Sequence, residues 1–279
     1  MKDKKSGLSL LSVKTRIIIA IAAAILIFAI VLILYFLVTS LNDKGISNSL
    51  DTKYTKAGSF DNWYNLIDVD IAKLKLDNKD ARGWIFFENV DISEPIVQGP
   101  DNTKYLETTF DGSNLLEGSI FLDAANQGDF SDKNSIIYGK NMPNGSMFGK
   151  LLKYKDEPEY YKDHQFFQVV TADRIYRYQV VAFNEVDKSS EVYKTSFAND
   201  REYVEFIRMV KSLSPVIIMI PDFSDPNATE DEFLIENYKK FATLSTDTGK
   251  EGTNYVVIGV YVGEYDRLDK SLVYDPYEV

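Results

Sequence analysis

The sequence contains no cysteine and a single histidine, His164. Without cysteine the chain forms no disulfide, offers no thiolate to a metal ion and has no thiol nucleophile. A lone histidine cannot form the clusters of imidazole ligands that hold zinc. These absences exclude thiol-dependent catalysis and Cys/His zinc sites, and we expect no metal ion and no cofactor.

Basic residues are in the minority, 31 against 42 acidic ones, which gives a formal net charge of −11. The first sixteen residues carry a net charge of +4, so the rest of the chain carries −15. A strongly acidic surface repels nucleic acid and anionic lipid head groups. We therefore expect no nucleic-acid partner.

One uncharged apolar run, Ile17–Val38, stands near the N-terminus. About 20 apolar residues suffice to cross a bilayer. The run is longer than the apolar core of a cleaved signal peptide, and Val38-Thr39-Ser40 is a poor cleavage site. Cations precede the run, which by the positive-inside rule keeps the N-terminus in the cytoplasm. We predict a cytoplasmic tail over 1–16, a single membrane-spanning signal anchor over 17–38, and an extracellular domain.

The residue pattern divides the remaining chain into three segments. Residues 39–75 are polar with a loose helical stripe of apolar residues, which predicts a stalk and short N-terminal helices. Residues 76–265 contain eight short β-type runs separated by turn residues, which predict a mainly β domain, a closed barrel with flanking helices, followed by a tail over 266–279. The runs are Trp84–Phe87, Glu94–Gln98, Ser119–Leu122, Ser135–Tyr138, Phe166–Thr171, Ile175–Phe183, Phe241–Thr246 and Tyr255–Val262, and the helices are expected at Thr103–Thr108, Met147–Tyr154 and Asp200–Ser212.

An irregular insertion lies between Ser214 and Lys240, with three prolines and a cluster of acidic residues. Its apolar start, Pro215–Ile220, fits another strand. The spacing of its acidic residues matches no EF-hand loop, so we interpret its middle as a solvated loop rather than a calcium site.

Several ordered motifs resemble those of class B sortases, and together they span roughly residues 73–262. They are Gly83–Ile85, Glu94–Gly99 with Gly118–Asp123, Ile137–Met142 continuing to Met147–Phe148, and Leu244–Asp247. The resemblance implies a closed β-barrel with flanking helices, held by an N-terminal anchor at the surface of a Gram-positive bacterium. The absence of cysteine is compatible with such a host, whose exported proteins do not rely on disulfides.

The resemblance also implies a mechanism. Sortases cut a sorting signal near the C-terminus of a secreted protein and join it to a cell-wall or pilin amine. They use a cysteine nucleophile, a histidine acid and an arginine that stabilises negative charge. Here the histidine position is Lys140, the cysteine position is Asp247 and the arginine position is Asn254. The candidates for lining the substrate groove are Asn141, Met142, Ser245 and Thr246.

Lys140 and Asp247 preserve opposite charges at the two positions, which favours a salt bridge across the groove. A covalent Lys–Asp isopeptide bond is the alternative. A rebuilt active site is also open, in which Ser245, Thr246 or Asp247 replaces the cysteine and Lys140 serves as the base of a Ser–Lys dyad. His164 is expected in a loop away from these positions.

These observations predict a membrane-anchored, class B sortase-like protein without transpeptidase activity. Such a protein would serve as a binding or assembly module for cell-surface proteins or pili. The expected partners are sorting-signal proteins, pilins or an active sortase. The alternative is an active transpeptidase or hydrolase with a non-cysteine site.

Overall fold

The computed structural model describes residues 12–90, 92–214 and 227–277. Most of the predicted cytoplasmic tail and the predicted strand Pro215–Ile220 lie outside the described residues. The chain divides into two compact units with the boundary between Gly45 and Ile46.

Helix α1, Val13–Tyr54, contains the apolar run. Its segment Val13–Tyr35 is long and apolar enough to cross a membrane. An apolar helix near an N-terminus suits either a membrane anchor or a signal sequence, because both require one.

The second unit is built on a closed barrel of eight strands, in the order β10-β8-β7-β3-β4-β5-β6-β9 with β9 pairing back onto β10. This architecture confirms the predicted fold class. A separate two-stranded sheet precedes the barrel, and β11 extends the barrel sheet at β10, within the segment predicted as a tail. The strands are β1 Thr55–Ala57, β2 Ile67–Val69, β3 Ala81–Phe87, β4 Ser93–Val97, β5 Ile120–Leu122, β6 Asn134–Tyr138, β7 Phe166–Val170, β8 Arg174–Asp187, β9 Phe241–Asp247, β10 Thr253–Asp266 and β11 Ser271–Tyr274.

Large apolar side chains fill the barrel because alternate residues of each strand point inward. Ile85, Phe87, Phe148, Phe167 and Leu244 are all at most 1% exposed and belong to one contact cluster. Their burial holds the strands in the register that positions the site.

Helix α5, Asp200–Leu213, covers the outer face of the barrel, as its apolar spacing predicts. The Asn199 side chain caps its first turn by accepting a hydrogen bond from the Glu202 amide, and Tyr203, Phe206 and Ile207 are buried against the sheet. The other helices are short: α2 Ile71–Asp77, α3 Lys153–Asp156, α4 Tyr160–Asp163 and α6 Glu230–Asn237. Single 3₁₀ turns lie at Trp63–Asn65, Lys104–Leu106, Gly149–Leu152 and Glu191–Tyr193.

Helix α6 corrects the prediction of a solvated loop for the acidic part of the insertion. The Thr229 side chain accepts from the Glu232 amide, and the Glu232 carboxylate accepts in return from the Thr229 amide. This capping box satisfies two backbone donors that would otherwise be left open at a helix start. The acidic residues also stand at the N-terminal end, where the helix dipole favours negative charge.

Candidate functional site

A cleft opens where strands β6 and β9 end and strand β10 begins. Strand β6 runs parallel to β9 with Tyr138 opposite Ser245, and β9 runs antiparallel to β10 with Asp247 opposite Asn254. The pairing brings Lys140, two residues beyond Tyr138, to the same place. The cleft has a volume of about 510 Å³ and is lined by Asn102, Tyr105, Leu106, Ser119, Phe121, Tyr138, Gly139, Lys140, Lys188, Tyr193, Ser245, Thr246, Asp247 and Asn254.

The floor of the cleft is aromatic. The Tyr138 ring stacks on Tyr193 with centroids 6.2 Å apart and lies 5.1 Å from the Phe121 ring. Beneath them, the Asp123 carboxylate accepts hydrogen bonds from the Tyr138 hydroxyl at 3.0 Å and the Asn102 amide at 2.8 Å. Burial raises the pKa of both Tyr138 and Tyr193 above the usual tyrosine value. Both phenols therefore stay protonated at neutral pH and cannot serve as bases.

A small polar network fixes Ser245. Its hydroxyl lies 3.0 Å from the Tyr193 hydroxyl, and the Asn254 side-chain amide donates to both groups, at 3.1 Å to Tyr193 and 3.3 Å to Ser245. Ser245 is only 1% exposed. Its partners are a phenol and an amide, neither of which can accept its proton in a nucleophilic attack, and Lys140 is not among them. The geometry provides no Ser–Lys dyad.

The neighbouring hydroxyl of Thr246 is different, because it is buried and has no hydrogen-bond partner among the described residues. Buried polar groups are normally paired, so an unpaired hydroxyl in a cleft wall is a costly feature in the free protein.

Lys140 and Asp247 lie in the same cleft but do not form the favoured salt bridge; among the described residues no ion pair joins them. The Lys140 ammonium donates to the Leu116 carbonyl, in the loop that precedes β5. The Asp247 carboxylate accepts instead from the backbone amides of Gly249 at 3.1 Å and Asn141 at 3.4 Å. Backbone donors thus occupy the carboxylate, one from the turn after β9 and one from the turn after β6.

Two of the four groove candidates, Ser245 and Thr246, line the cleft. Among the described lining residues, neither Asn141 nor Met142 is found. Both belong to the turn beyond β6, in which Asn141 pairs with Met147 and the Met142 carbonyl accepts from the Gly145 amide at 2.9 Å. Their backbones therefore form a turn, and neither residue is among those that line the cleft.

The sequence reasoning missed Tyr193 and Lys188, which reach the cleft from the segment after β8. No local motif marks them, because barrel closure places them there. His164 lies elsewhere: its ring stacks on Tyr160 with centroids 3.8 Å apart, and Nδ1 lies 2.6 Å from the Tyr160 carbonyl oxygen. In the described part of the chain no three Asp, Glu or His residues form a group that could hold a metal ion.

No protein-family model matches the chain. It is 32% identical to sortase B of Listeria monocytogenes over 161 residues, which are 58% of this chain and 65% of that protein. It is 28% identical to sortase B of Staphylococcus aureus over 183 residues, 65% of this chain and 69% of that protein. The chain thus spans slightly less than two thirds of the Listeria protein's length.

The solved structures agree. Sortase B of Bacillus anthracis in complex with AAEK2 aligns with a TM-score of 0.62 at 26% identity, over 80% of this chain and 96% of that one. The Staphylococcus aureus sortase B–substrate complex aligns with a TM-score of 0.58 at 28% identity, over 69% of this chain and 84% of that one. The barrel therefore has the class B sortase fold. The chain is homologous to sortase B, as its motifs predict.

Proposed function

We propose that this protein binds sorting-signal peptides in the cleft without cleaving them, and acts as a membrane-anchored binding or assembly module at the cell surface. The observation that carries the proposal is a cleft lined by Lys140, Asp247 and Asn254. The motif resemblance predicts these residues at the three positions where sortases carry histidine, cysteine and arginine. Shape and apolar lining supply most of the affinity of such a cleft, whereas the nucleophile supplies reactivity.

Each missing residue removes a distinct step. Without a thiolate no acyl-enzyme forms, without an imidazolium the leaving amine receives no proton, and without a guanidinium the developing oxyanion is not stabilised. Asp247 is a much weaker nucleophile than a thiolate, and its carboxylate is occupied by backbone amides. Ser245 is shielded and lacks a base. These features favour binding over the alternative of a rebuilt active site.

The natural partners under this proposal carry a sorting signal, as surface proteins and pilins do, and the signal would enter the cleft as an extended peptide. An active sortase could share the same substrates and is the second kind of partner. The apolar helix α1 would hold the module at the extracellular face of the membrane, where such signals are presented.

Titration tests the binding claim. Full-length protein in detergent micelles is titrated with the substrate peptide of the Staphylococcus aureus complex and with sorting-signal peptides from the host's own secreted proteins. We expect saturable binding with no cleavage product by mass spectrometry. A Tyr193→Ala variant, which removes one ring of the aromatic floor, should bind more weakly, and a Lys79→Gln variant outside the cleft should bind normally. Absence of binding to every peptide would overturn the proposal.

Restoring the missing residues tests the claim about chemistry. A variant carrying Lys140→His, Asp247→Cys and Asn254→Arg should release the peptide fragment, while the wild-type protein and the single Asp247→Cys variant release much less. If the wild-type protein cleaves the peptide and Asp247→Ala abolishes the cleavage, the site is an active one and the rebuilt-site alternative is correct.

A further inference from the structure

We propose that the cleft selects peptides that carry a carboxylate, which binds between Lys140 and Lys188. This inference rests on the proposed function, since it names the chemistry of the peptide that the cleft accepts. It begins from the two lysines that line the cleft, neither of which forms an ion pair with a described residue.

Three charged side chains line the cleft: two lysines, Lys140 and Lys188, and one aspartate, Asp247. The chain as a whole carries −11. The carboxylate of Asp247 accepts two backbone amides, and the buried Asp123 carboxylate beneath the floor accepts from Tyr138, Asn102 and the Ala125 amide. Both carboxylates therefore accept from neutral protein donors, and neither lysine forms an ion pair with them or with any other described residue.

The ammonium groups of Lys140 and Lys188 have hydrogen-bond donors that no described residue uses. An ammonium group offers three hydrogen-bond donors. Lys140 is half-buried, and within the described residues it uses one donor, toward the Leu116 carbonyl. The exposed Lys188 side chain makes no hydrogen bond or ion pair with any described residue, and only its backbone amide is bonded, to the Gly252 carbonyl at 3.0 Å. A carboxylate has two oxygens and can accept from both lysines at once.

The walls fit a peptide rather than a free anion. Tyr105, Phe121, Tyr138 and Tyr193 supply apolar contact surface, and Leu106 at the rim is 43% exposed. A ligand that meets these walls and the two lysines has apolar side chains and one carboxylate.

A glutamate scan tests this selectivity. Each position of the sorting-signal peptide with the highest affinity in the titration above is replaced in turn by glutamate and, in a matched set, by glutamine. At one position we expect the glutamate peptide to bind about threefold to tenfold more tightly than its glutamine twin, the gain typical of two partly exposed ion pairs. The preference should shrink toward unity near 1 M salt, where the screening length is about 3 Å.

Variants assign the effect to the two lysines. Lys140→Gln and Lys188→Gln should each reduce the glutamate preference, and the double variant should abolish it while the glutamine peptide still binds. Lys79→Gln, an exposed lysine outside the cleft, should leave the preference unchanged. If glutamine peptides bind as tightly as glutamate peptides at every position, or if the preference survives the double variant, the inference is wrong although the proposed function stands. If no peptide of either kind binds, the proposed function fails as well.

Discussion

The two ends of strand β9 are built in opposite ways. At its start, Lys240 places its ammonium 3.6 Å from the centroid of the Tyr176 ring and 4.6 Å from that of Tyr261. At its end, seven residues later, Asp247 is exposed in the cleft. One charged group is enclosed by rings, and the other faces solvent.

The difference separates the residues that hold the barrel from those that are free to meet a ligand. Phe241, next to Lys240, is fully buried with its ring 5.5 Å from Phe206 and 6.0 Å from Tyr238. A change at this end must disturb packed neighbours, because protein interiors contain few voids. At the cleft end a side chain can change its chemistry while the strand pairing beneath it persists. Lys140, Asp247 and Asn254, which the motif resemblance predicts at the sortase catalytic positions, all line the cleft.

Replacing Phe241 by alanine should produce the largest loss. The expected cost is about 3–5 kcal/mol in the free energy of unfolding, because a buried ring is removed and a cavity remains. Chemical denaturation monitored by circular dichroism measures it. The control is Leu106→Ala at the cleft rim, which should stay within about 0.5 kcal/mol of the wild type. Equal losses in both variants would contradict the comparison.

Closely packed side chains also lie behind the surface of the cleft end, and Gly139→Ala should destabilise the protein by crowding them. A Cβ atom at Gly139 would lie 2.7 Å from the Phe148 ring and 3.1 Å from the Ile120 side chain. Overpacking of this kind typically costs about 1–3 kcal/mol. In a double-mutant cycle, Phe148→Leu should partly relieve the cost of Gly139→Ala, since it makes room for the added methyl group. Strictly additive losses would show that the two side chains do not clash.

The contribution of Lys240 to the free energy of unfolding depends on pH. Burial lowers the pKa of Lys240 to about 8, although the carboxylates of Glu264 and Asp129 act in the opposite direction. Between that value and the ordinary lysine pKa of 10.5 the unfolded chain binds more protons than the folded one, so this group's contribution to stability rises with pH. Below pH 8 Lys240 is charged in both the folded and the unfolded chain, so burying its ammonium group destabilises the fold by the full amount. The stability of the wild type relative to Lys240→Met should therefore increase by about 1–2 kcal/mol from pH 8 to 9.5, as measured by denaturation in both proteins. A constant difference would contradict the enclosure of Lys240.

The sequence predicted the parts of the site that belong to local motifs. Tyr138-Gly139-Lys140 and the residues before Asp247 stand at strand ends, and their β-type runs indicated which strands carry them. The pairing of Tyr138 with Ser245 then follows from the barrel. Tyr193 and Lys188 could not be predicted in this way, because their approach to the cleft depends on how the segment after β8 packs and not on any pattern in that segment.

Two wrong predictions have physical causes that the structure shows. The salt bridge between Lys140 and Asp247 was inferred from opposite charge, but backbone amides compete for a carboxylate at a strand end, and the sequence does not show where those amides point. The acidic helix α6 was interpreted as a loop because of its charge. The signal that it would form was present, since Thr229 followed by Glu232 is the spacing of a capping box.

Asp247→Asn should have the smallest effect. The carboxylate is exposed, pairs with no lysine among the described residues, and accepts one backbone amide on each oxygen. The asparagine oxygen can keep the shorter bond, from the Gly249 amide at 3.1 Å, and the exposed Asn141 amide at 3.4 Å can turn to water. We expect the free energy of unfolding to stay within about 0.5 kcal/mol of the wild type at low and high salt. A loss above about 1 kcal/mol that disappears in salt, and that Lys140→Gln reproduces without adding to it, would show that the two side chains pair in solution. Lys140 would then be neutralised in the free protein, and the carboxylate of a bound peptide would have to displace Asp247 before it could reach that lysine.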